Sequence, residues 1–584
     1  MRLKNYLAVV ALLCAPRAVA QYNPTIDVEG TYKPEVILQE RINAFPERTR
    51  LGVLESRLNF DLDGVTTNFT PSGVPMPAVG WRDTRDSYPY KRYIELSLGS
   101  WLDTRLNAGA RFIDKPNTMC GIYLRHNSTW LWKPEYSDGA EEFRRRLADQ
   151  EIGVYLRHLK RDAGILDFDA KYRVAYFNYY AMHPEDPDLV SNAPTQTLNS
   201  ANFHLMWKSE GESKFRYYAG ANVRYNGFRS FYTEMVQERY KGNRETIIAP
   251  RGGIGLDFGS SSSIGLDLGA DIVLYAGGKD SKAMMACPDN YTRLSLTPHY
   301  KSEGENLYLF AGPKIDMMFN NGPFFRIAPD FRLGWHIKGL AVELSATGGT
   351  ELNTLDYNIG QNIYCATDIF NAEPVYVPFE GGLKFAFGPF AGFKAEISGK
   401  FRRALGQHVE GAWYQYYLNG TGMYMAGGVR NQKLYNDASV DMYGVSMGVK
   451  LAYNYGRYFG MEAEATYQPQ DGKKGFFNGF DLPEATGRIS ARSNPWSSLK
   501  LGLDWNLRAC RRPLLVSDYD GERSLENRLM KNWSNLDFRA SYDILKNLTV
   551  ELEVNNLLNR LHQEWLPGLQ APGIRAHAGV IIQF

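Results

Sequence analysis

The residues able to do chemistry are scattered along this chain. Nine histidines occur and none stands in a His-Glu-x-x-His pair. His126, His158 and His204 lie in strand-like sequence beside Arg125, Arg157 and near Asn202. They could line a polar cavity, or simply join a hydrogen-bonded wall. A site assembled across distant strands cannot be built from one sequence. Asp518-Tyr519-Asp520-Gly521-Glu522 and Asp61-Leu62-Asp63-Gly64 alternate carboxylates with glycine, a fragment of a calcium loop. The remaining ligands are missing at the right spacing, and a glycine turn in a polar loop accounts for both stretches. Trp413-Tyr414-Gln415-Tyr416-Tyr417 and Tyr519, with Arg511 and Arg512, offer rings for stacking on a sugar or lipid headgroup, or for an interfacial aromatic girdle. No enzyme, cofactor site or metal site emerges from these groups.

Four cysteines follow the N-terminal region: Cys120, Cys287, Cys365 and Cys510. None has CxxC or Cys/His spacing, which argues against thiolate metal binding. Cys287 and Cys365 fall in polar segments that read as surface loops, so a loop-to-loop disulfide and two free thiols are both open. The net charge is +2 in 584 residues and no block of Lys or Arg stands alone, which gives no footprint for nucleic acid.

What could position such groups is a sheet. After the first twenty residues no run of about 18 apolar residues occurs, which excludes a transmembrane helix. From about Tyr93 onward the sequence alternates. Phe215, Tyr217, Ala219, Ala221, Val223 and Tyr225 interleave with Arg216, Tyr218, Gly220, Asn222, Arg224 and Asn226. Ile264, Leu266, Leu268, Ala270 and Ile272 interleave with Gly265, Asp267, Gly269 and Asp271. The same pattern recurs at Val445–Leu451, Leu499–Leu507 and Leu536–Tyr542. A period of two puts one face in lipid and the other on a lumen. A soluble sandwich also alternates. Three features favour the membrane. The strands exceed the usual 5–6 residues or so. Aromatics gather at strand ends (Trp130 and Trp132; Tyr176, Phe177, Tyr179 and Tyr180), as girdles require. Charged residues and glycines share one face.

Short links (Lys160–Ala163, Ser209–Glu212, Ser260–Ser263, Lys301–Gly304, Lys338-Gly339 and Lys546-Asn547) alternate with long polar connections (Met182–Pro194, Lys279–Asn290, Leu355–Ala372 and Leu405–Ala438). That is the pattern of short periplasmic turns and long external loops. The expected fold is all-β: one large antiparallel transmembrane barrel of about 22 strands, within a range of about 18 to 24 and even in number. Ala140–Asp149 and Leu525–Asn532 read as short helices. Arg216, Arg224, Asp267, Asp271, Arg508 and Arg539 are the candidate lumen residues. The arginines would favour anionic solutes, and the aspartates would balance them into a mixed, salt-bridged wall.

The two ends agree with this solvent. Met1-Arg2-Leu3-Lys4, an apolar stretch to Cys14 and Ala18-Val19-Ala20 form a signal peptide over residues 1–20. Cys14 would suggest a lipoprotein, but Leu13 precedes it where such a signal needs a small residue. Residues 21–87 are expected to form an N-terminal periplasmic or luminal segment, with or without a first strand, and 88–584 the barrel. The chain closes on Ala576, Ala578, Val580 and Ile582, alternating, and then Phe584. A terminal aromatic on such a strand resembles the signal read by the barrel-insertion machinery.

Asn555-Asn556-Leu557-Leu558-Asn559-Arg560 resembles the Asn-Leu-Phe-Asn segment near the end of TonB-dependent receptor barrels, with Leu558 where Phe is usual. Pro572-Gly573 and Arg575 resemble the Pro-Gly-Arg that opens their last strand. The match covers about the last 50 residues. The family carries a plug of over a hundred residues ahead of the barrel, and this sequence departs from it. It has no Val-Asp-Gly or Glu-Val-Leu-Lys-Gly-like plug segments, and Thr25-Ile26-Asp27-Val28-Glu29 has only the outline of an energy-coupling box, of a kind common by chance. Gly30–Ile37 and Arg41–Pro46 resemble the lead-in of plugless receptor-like barrels, which diderm bacteria pair with surface lipoproteins. The resemblance implies an outer-membrane protein of a diderm bacterium, in contact with outer-membrane lipid and the insertion machinery. Its work would be transport or ligand uptake, or, alternatively, a scaffold role that docks lipoproteins or periplasmic subunits in envelope assembly or export.

Overall fold

The computed structural model describes residues 90–130, 146–160, 164–178, 183–184, 195–209, 214–231, 240–259, 261–277, 289–361, 363, 374–407, 409–419, 422–432, 440–472, 483–511, 514–519, 522–527, 529–560, 562 and 573–584. The expected signal peptide, the segment 21–87, Asp61–Gly64, Cys287 and Cys365 lie outside these residues. Cys120 and Cys510 are free thiols.

One antiparallel sheet of 23 hydrogen-bonded segments makes the wall. Two of them, Phe459–Tyr467 and Gln470–Gly472, follow each other along the same neighbouring strand, so the wall has 22 strands. In chain order they are β1 Arg92–Gly99, β2 Thr104–Lys115, β3 Thr118–Trp130, β4 Arg146–Lys160, β5 Gly164–Asn178, β6 Thr195–Lys208, β7 Phe215–Phe228, β8 Arg244–Phe258, β9 Ser262–Ala276, β10 Tyr291–Glu303 and β11 Leu307–Phe319. Then come β12 Phe325–Ile337, β13 Leu340–Glu351, a helix α1 Leu355–Gln361, β14 Val375–Phe390, β15 Phe393–Gln407, β16 Val440–Tyr455, β17 Phe459–Gly472, β18 Pro483–Trp496, β19 Leu499–Arg511, β20 Trp533–Leu545, β21 Leu548–Asn555 and β22 Arg575–Gln583. Each pairs with the next, and β1 pairs with β22 from Tyr93↔Gln583 to Gly99↔His577. Phe584 completes the closure: its N–H donates to the Arg92 carbonyl at 2.9 Å, and its own carbonyl accepts from the Arg92 N–H at 2.9 Å.

Alternation decides the two faces. Ile94, Leu96 and Leu98 point outward and are exposed, while Glu95 and Ser97 between them are buried inside. Ile254 and Leu256 on β8, Ile264 and Leu268 on β9, and Met447, Val449 and Leu451 on β16 form the same outer band. An uninterrupted apolar band around a closed sheet is the outer-membrane barrel architecture. Every short link of the sequence reading joins two strands at one end, the periplasmic end by this architecture. The long connections gather at the other. Among them lies a second, smaller sheet in which the hairpin Val409–Asn419/Gly422–Gln432 is joined in parallel by Leu514–Tyr519, itself paired with Glu522–Asn527. Thus Trp413–Tyr417 belong to loop strands and not to the wall, and Tyr519 pairs with Glu522 in the same smaller sheet, while Asp520 and Gly521 lie outside the described residues.

Three expectations are corrected. Residues 146–149 are strand, with Arg146 paired to Trp130, and Leu525–Asn527 are strand, with Leu525 paired to Val516, because cross-strand partners satisfy their backbones better than an isolated helical turn would. Phe177 is no girdle residue. It faces inward and is 0% exposed, since its phase follows luminal Arg173. Finally, the segment beginning at Leu355 is not wholly loop, because α1 occupies its first two turns.

The Asn-rich exit of β21 has a mechanical explanation. Asn556 and Asn559 both adopt positive φ (55° and 47°), a region asparagine tolerates better than most residues. The Asn556 side chain donates to the Arg560 carbonyl at 2.8 Å and accepts from the Arg560 N–H, while its own N–H donates to Asp537 at 2.9 Å. Asn559 Oδ1 accepts from the Ile574 N–H at 3.0 Å, which ties the loop's far end to its start, and a Cβ on Gly573 would strike that same oxygen. Asn556→Ala should therefore destabilise the folded barrel by about 1–3 kcal/mol. Urea titration of heat-modifiable electrophoretic migration measures this, and an unchanged midpoint would show the turn to be dispensable.

Candidate functional site: the lumen and its outer mouth

The inner wall carries charge on strand after strand, and the charges are answered locally. Asp271 on β9 is held between Arg251 of β8 and Arg293 of β10, at 2.5 Å each. Arg293 also donates to the Thr350 carbonyl. Asp330 sits between Lys314 (3.5 Å) and Arg332 (3.1 Å), Lys384 between Glu396 (3.2 Å) and Glu343 (3.9 Å), and Asp504 between Arg488 (3.8 Å) and Arg539 (3.9 Å). Arg173 forks onto both oxygens of Asp149 at 2.7 Å. Arg105 reaches Glu553 at 2.9 Å across the closing seam. Partly desolvated pairs of this kind fix side-chain positions and leave little net field along the bore.

The six candidate lumen residues all lie on this face, in different settings. Arg216 bonds Asp257, and Arg224 bonds Asp356. Asp267 accepts from the Tyr218 hydroxyl at 2.7 Å and lies 3.4 Å from His299. Asp271 and Arg539 belong to the clusters above. Arg508 lies over the Trp533 ring, 5.1 Å from its centroid. They form no single site, because they are spread over strands β7 to β20.

The histidines are not brought together. His204 is luminal, paired in register with Asn222. His126 and His158 are on the outer face, bonded to Thr104 (3.2 Å) and Thr118 (2.8 Å). The string Gly444-Val445-Ser446-Met447-Gly448 spells Gly-x-Ser-x-Gly, yet it runs straight through β16 in antiparallel register with β15 and makes no nucleophile elbow. Among the described residues no cluster of three or more His, Cys, Asp or Glu could hold a metal ion.

The most constructed feature is at the outer mouth. The loop after β13 turns inward and places α1 against the luminal face of β7. Glu245, 1% exposed and second residue of β8, accepts the Leu355 N–H at 2.6 Å and the Asp356 N–H at 2.8 Å. Asp356 in turn binds Arg224 and Asn226 of β7, the latter at 2.8 Å. Thr354 Oγ1 accepts the Tyr357 N–H at 3.0 Å, an N-cap of the usual kind. Leu355 and Ile359 are buried, at a level where the wall itself presents apolar side chains inward: Leu198, Phe228, Ile247, Val273 and Met318. So the outer end of the bore carries an apolar collar with the two-turn helix α1 latched to it. Thr354-Leu355-Asp356 is a helix-cap sequence that the reading of this segment as a polar connection passes over, and nothing local tells that Glu245, over a hundred residues earlier, supplies the second cap.

The latch is testable. Glu245→Ala removes two hydrogen bonds to a carboxylate, worth roughly 1.5–3 kcal/mol each. Amide hydrogen exchange at Leu355 and Asp356 should accelerate at least tenfold while exchange along β8 and β9 stays slow. Unchanged protection at both amides would mean that α1 is held by burial alone.

No family model matches the chain, and no curated protein matches it. Solved structures do match in fold. The FrpB iron transporter of Neisseria meningitidis aligns with a TM-score of 0.64 at 12% identity, over 85% of this chain and 81% of that one. The siderophore receptor PirA of Acinetobacter baumannii aligns at 0.62 and 12%, over 84% and 80%. A mutant of the ferric enterobactin receptor PfeA of Pseudomonas aeruginosa aligns at 0.62 and 12%, over 85% and 80%. The chain therefore has the closed 22-strand barrel fold of these outer-membrane receptors, the class that its C-terminal residues resemble.

Proposed function

We propose that this chain is an outer-membrane transport barrel: a receptor-like wall without a plug domain, through which a solute or ligand passes. The single observation that carries the reading is the closed 22-strand wall with a polar, ion-paired bore, since a sheet of this circumference encloses room for a solute. The likeness in fold to an iron transporter and two siderophore receptors supports uptake as the task. The inward latch at the outer mouth fits a barrel that admits its solute selectively. Phe584, which directly follows the closing strand, is the residue we assign to recognition by the insertion machinery. Segment 21–87 in the periplasm or lumen, surface lipoproteins or periplasmic subunits as partners, and a Cys287–Cys365 disulfide belong to the same proposal.

Two measurements test it. The purified full chain in planar bilayers should conduct, and Asp271→Asn, which leaves Arg251 and Arg293 unopposed, should shift the reversal potential toward anions by several millivolts in a salt gradient. A barrel that stays closed in both forms, and that comes from gentle detergent with a stoichiometric lipoprotein or periplasmic subunit, would favour the scaffold role instead.

A further inference from the structure

The outer face of the wall is apolar almost everywhere, but not on β3 to β8 near the long-loop end. Register makes the departure visible. One hydrogen-bonded row runs His126–Gln150–Val174–Asn199–Gly227–Arg244. The row above it carries Tyr176, Thr197 and Arg229, the last tied to the strand edge by its N–H to the Thr197 carbonyl at 2.9 Å. The row below carries Tyr172, Tyr225 and Thr246. One row deeper the wall becomes wholly apolar: Ile122, Val154, Ala170, Phe203, Val223 and Ile248. On the next strand, β9, the polar rows stop at Leu274 and Ala276.

The chemistry of this patch is one-sided. Arg229, Arg244 and Gln150 are exposed, and no carboxylate faces outward on these strands among the described residues. The Tyr172 hydroxyl donates to Asn199 Oδ1 at 2.9 Å, which leaves the Asn199 amide donors facing out. Two guanidiniums set beside uncharged amide and hydroxyl groups are suited to an anion carried on a polyol: the arginines take phosphate oxygens and the amides take sugar hydroxyls. A protein partner would more often meet an apolar centre with a polar rim. With the long-loop end outside the cell, the patch lies at the headgroup level of the outer leaflet.

We propose that the outer face of β3–β8 binds the phosphorylated sugar headgroup of an outer-leaflet glycolipid, with Arg229 and Arg244 as the phosphate ligands. The test uses the full chain in nanodiscs and diphosphoryl lipid A as the probe, with retention read by native mass spectrometry. The double variant Arg229→Ala/Arg244→Ala should bind about thirtyfold more weakly, since each basic residue at a membrane surface contributes on the order of 1 kcal/mol. Arg403→Ala, an arginine on the outer face of β15, should change retention less than twofold. Dephosphorylated lipid A should bind the wild-type chain no better than diphosphoryl lipid A binds the double variant. The Arg229→Lys/Arg244→Lys pair keeps the charge and should keep most of the binding, which separates loss of contact from loss of fold. Equal retention by the double alanine variant, an equal loss with Arg403→Ala, or a stoichiometric protein held through the same arginines without any lipid difference would each overturn the proposal.

Discussion

Backbone hydrogen bonding in a solvent that offers none is the constraint on which everything else here depends. Inside a bilayer an unpaired peptide N–H or C=O costs several kcal/mol, so a sheet survives only if it has no edge. In this chain the edges meet where β1 pairs with β22, and the last carbonyl and N–H of Phe584 are spent on Arg92. The strands at that seam are short, eight and nine residues, against 12 to 16 for most of the wall. On the luminal side the seam is crossed by the Arg105–Glu553 pair, while His577 and Arg575 lie 3.6 Å from Asp103. These contacts tie strands on both sides of the closure together where the ladder itself is thinnest.

Closure then dictates the two faces. A strand that keeps one set of side chains in lipid can only send its polar residues inward, so charge accumulates in the bore whether or not function requires it. The inner wall resolves this by pairing. Asp271, Lys384 and Asp504 each sit between two opposite charges from the strands on either side, and Asp330 between Lys314 of the adjacent strand and Arg332 of its own. Aromatic rings add a second device. The rings of Tyr93, Tyr123, Tyr155 and Tyr218 lie over Gly109, Gly153, Gly121 and Gly253 of adjacent strands, filling space that any Cβ would occupy. The luminal wall is therefore held by side-chain contacts between strands as well as by its ladder, and α1 is joined to it by hydrogen bonds through Glu245 and Asp356.

Alternation at β7, β9, β16, β19 and β20 was legible residue by residue, because lipid imposes the period of two on each strand separately and a single window reveals it. The short turns were legible for the same reason. The segments misread were those whose environment is set by a distant neighbour. Residues 146–149 are strand because β3 is there to pair with them, and Phe177 is accommodated inside because the outer end of the bore is lined with other apolar side chains. Likewise His126, His158 and His204 looked alike in sequence, yet an odd or even position relative to the ladder put two of them outside and one within.

By itself, then, the sequence determined the solvent, the compartment and the kind of wall, since each strand carries its own lipid-facing and lumen-facing code and the C-terminal Asn-rich turn carries its own backbone requirement. Only the tertiary structure decided which charges neutralise which, that Glu245 caps a helix 110 residues later, and that polar residues from six strands fall in adjacent rows on the outer surface. Those outcomes depend on register. Register is a relation between strands, fixed by the closing of the whole sheet, and no local stretch of the chain contains it.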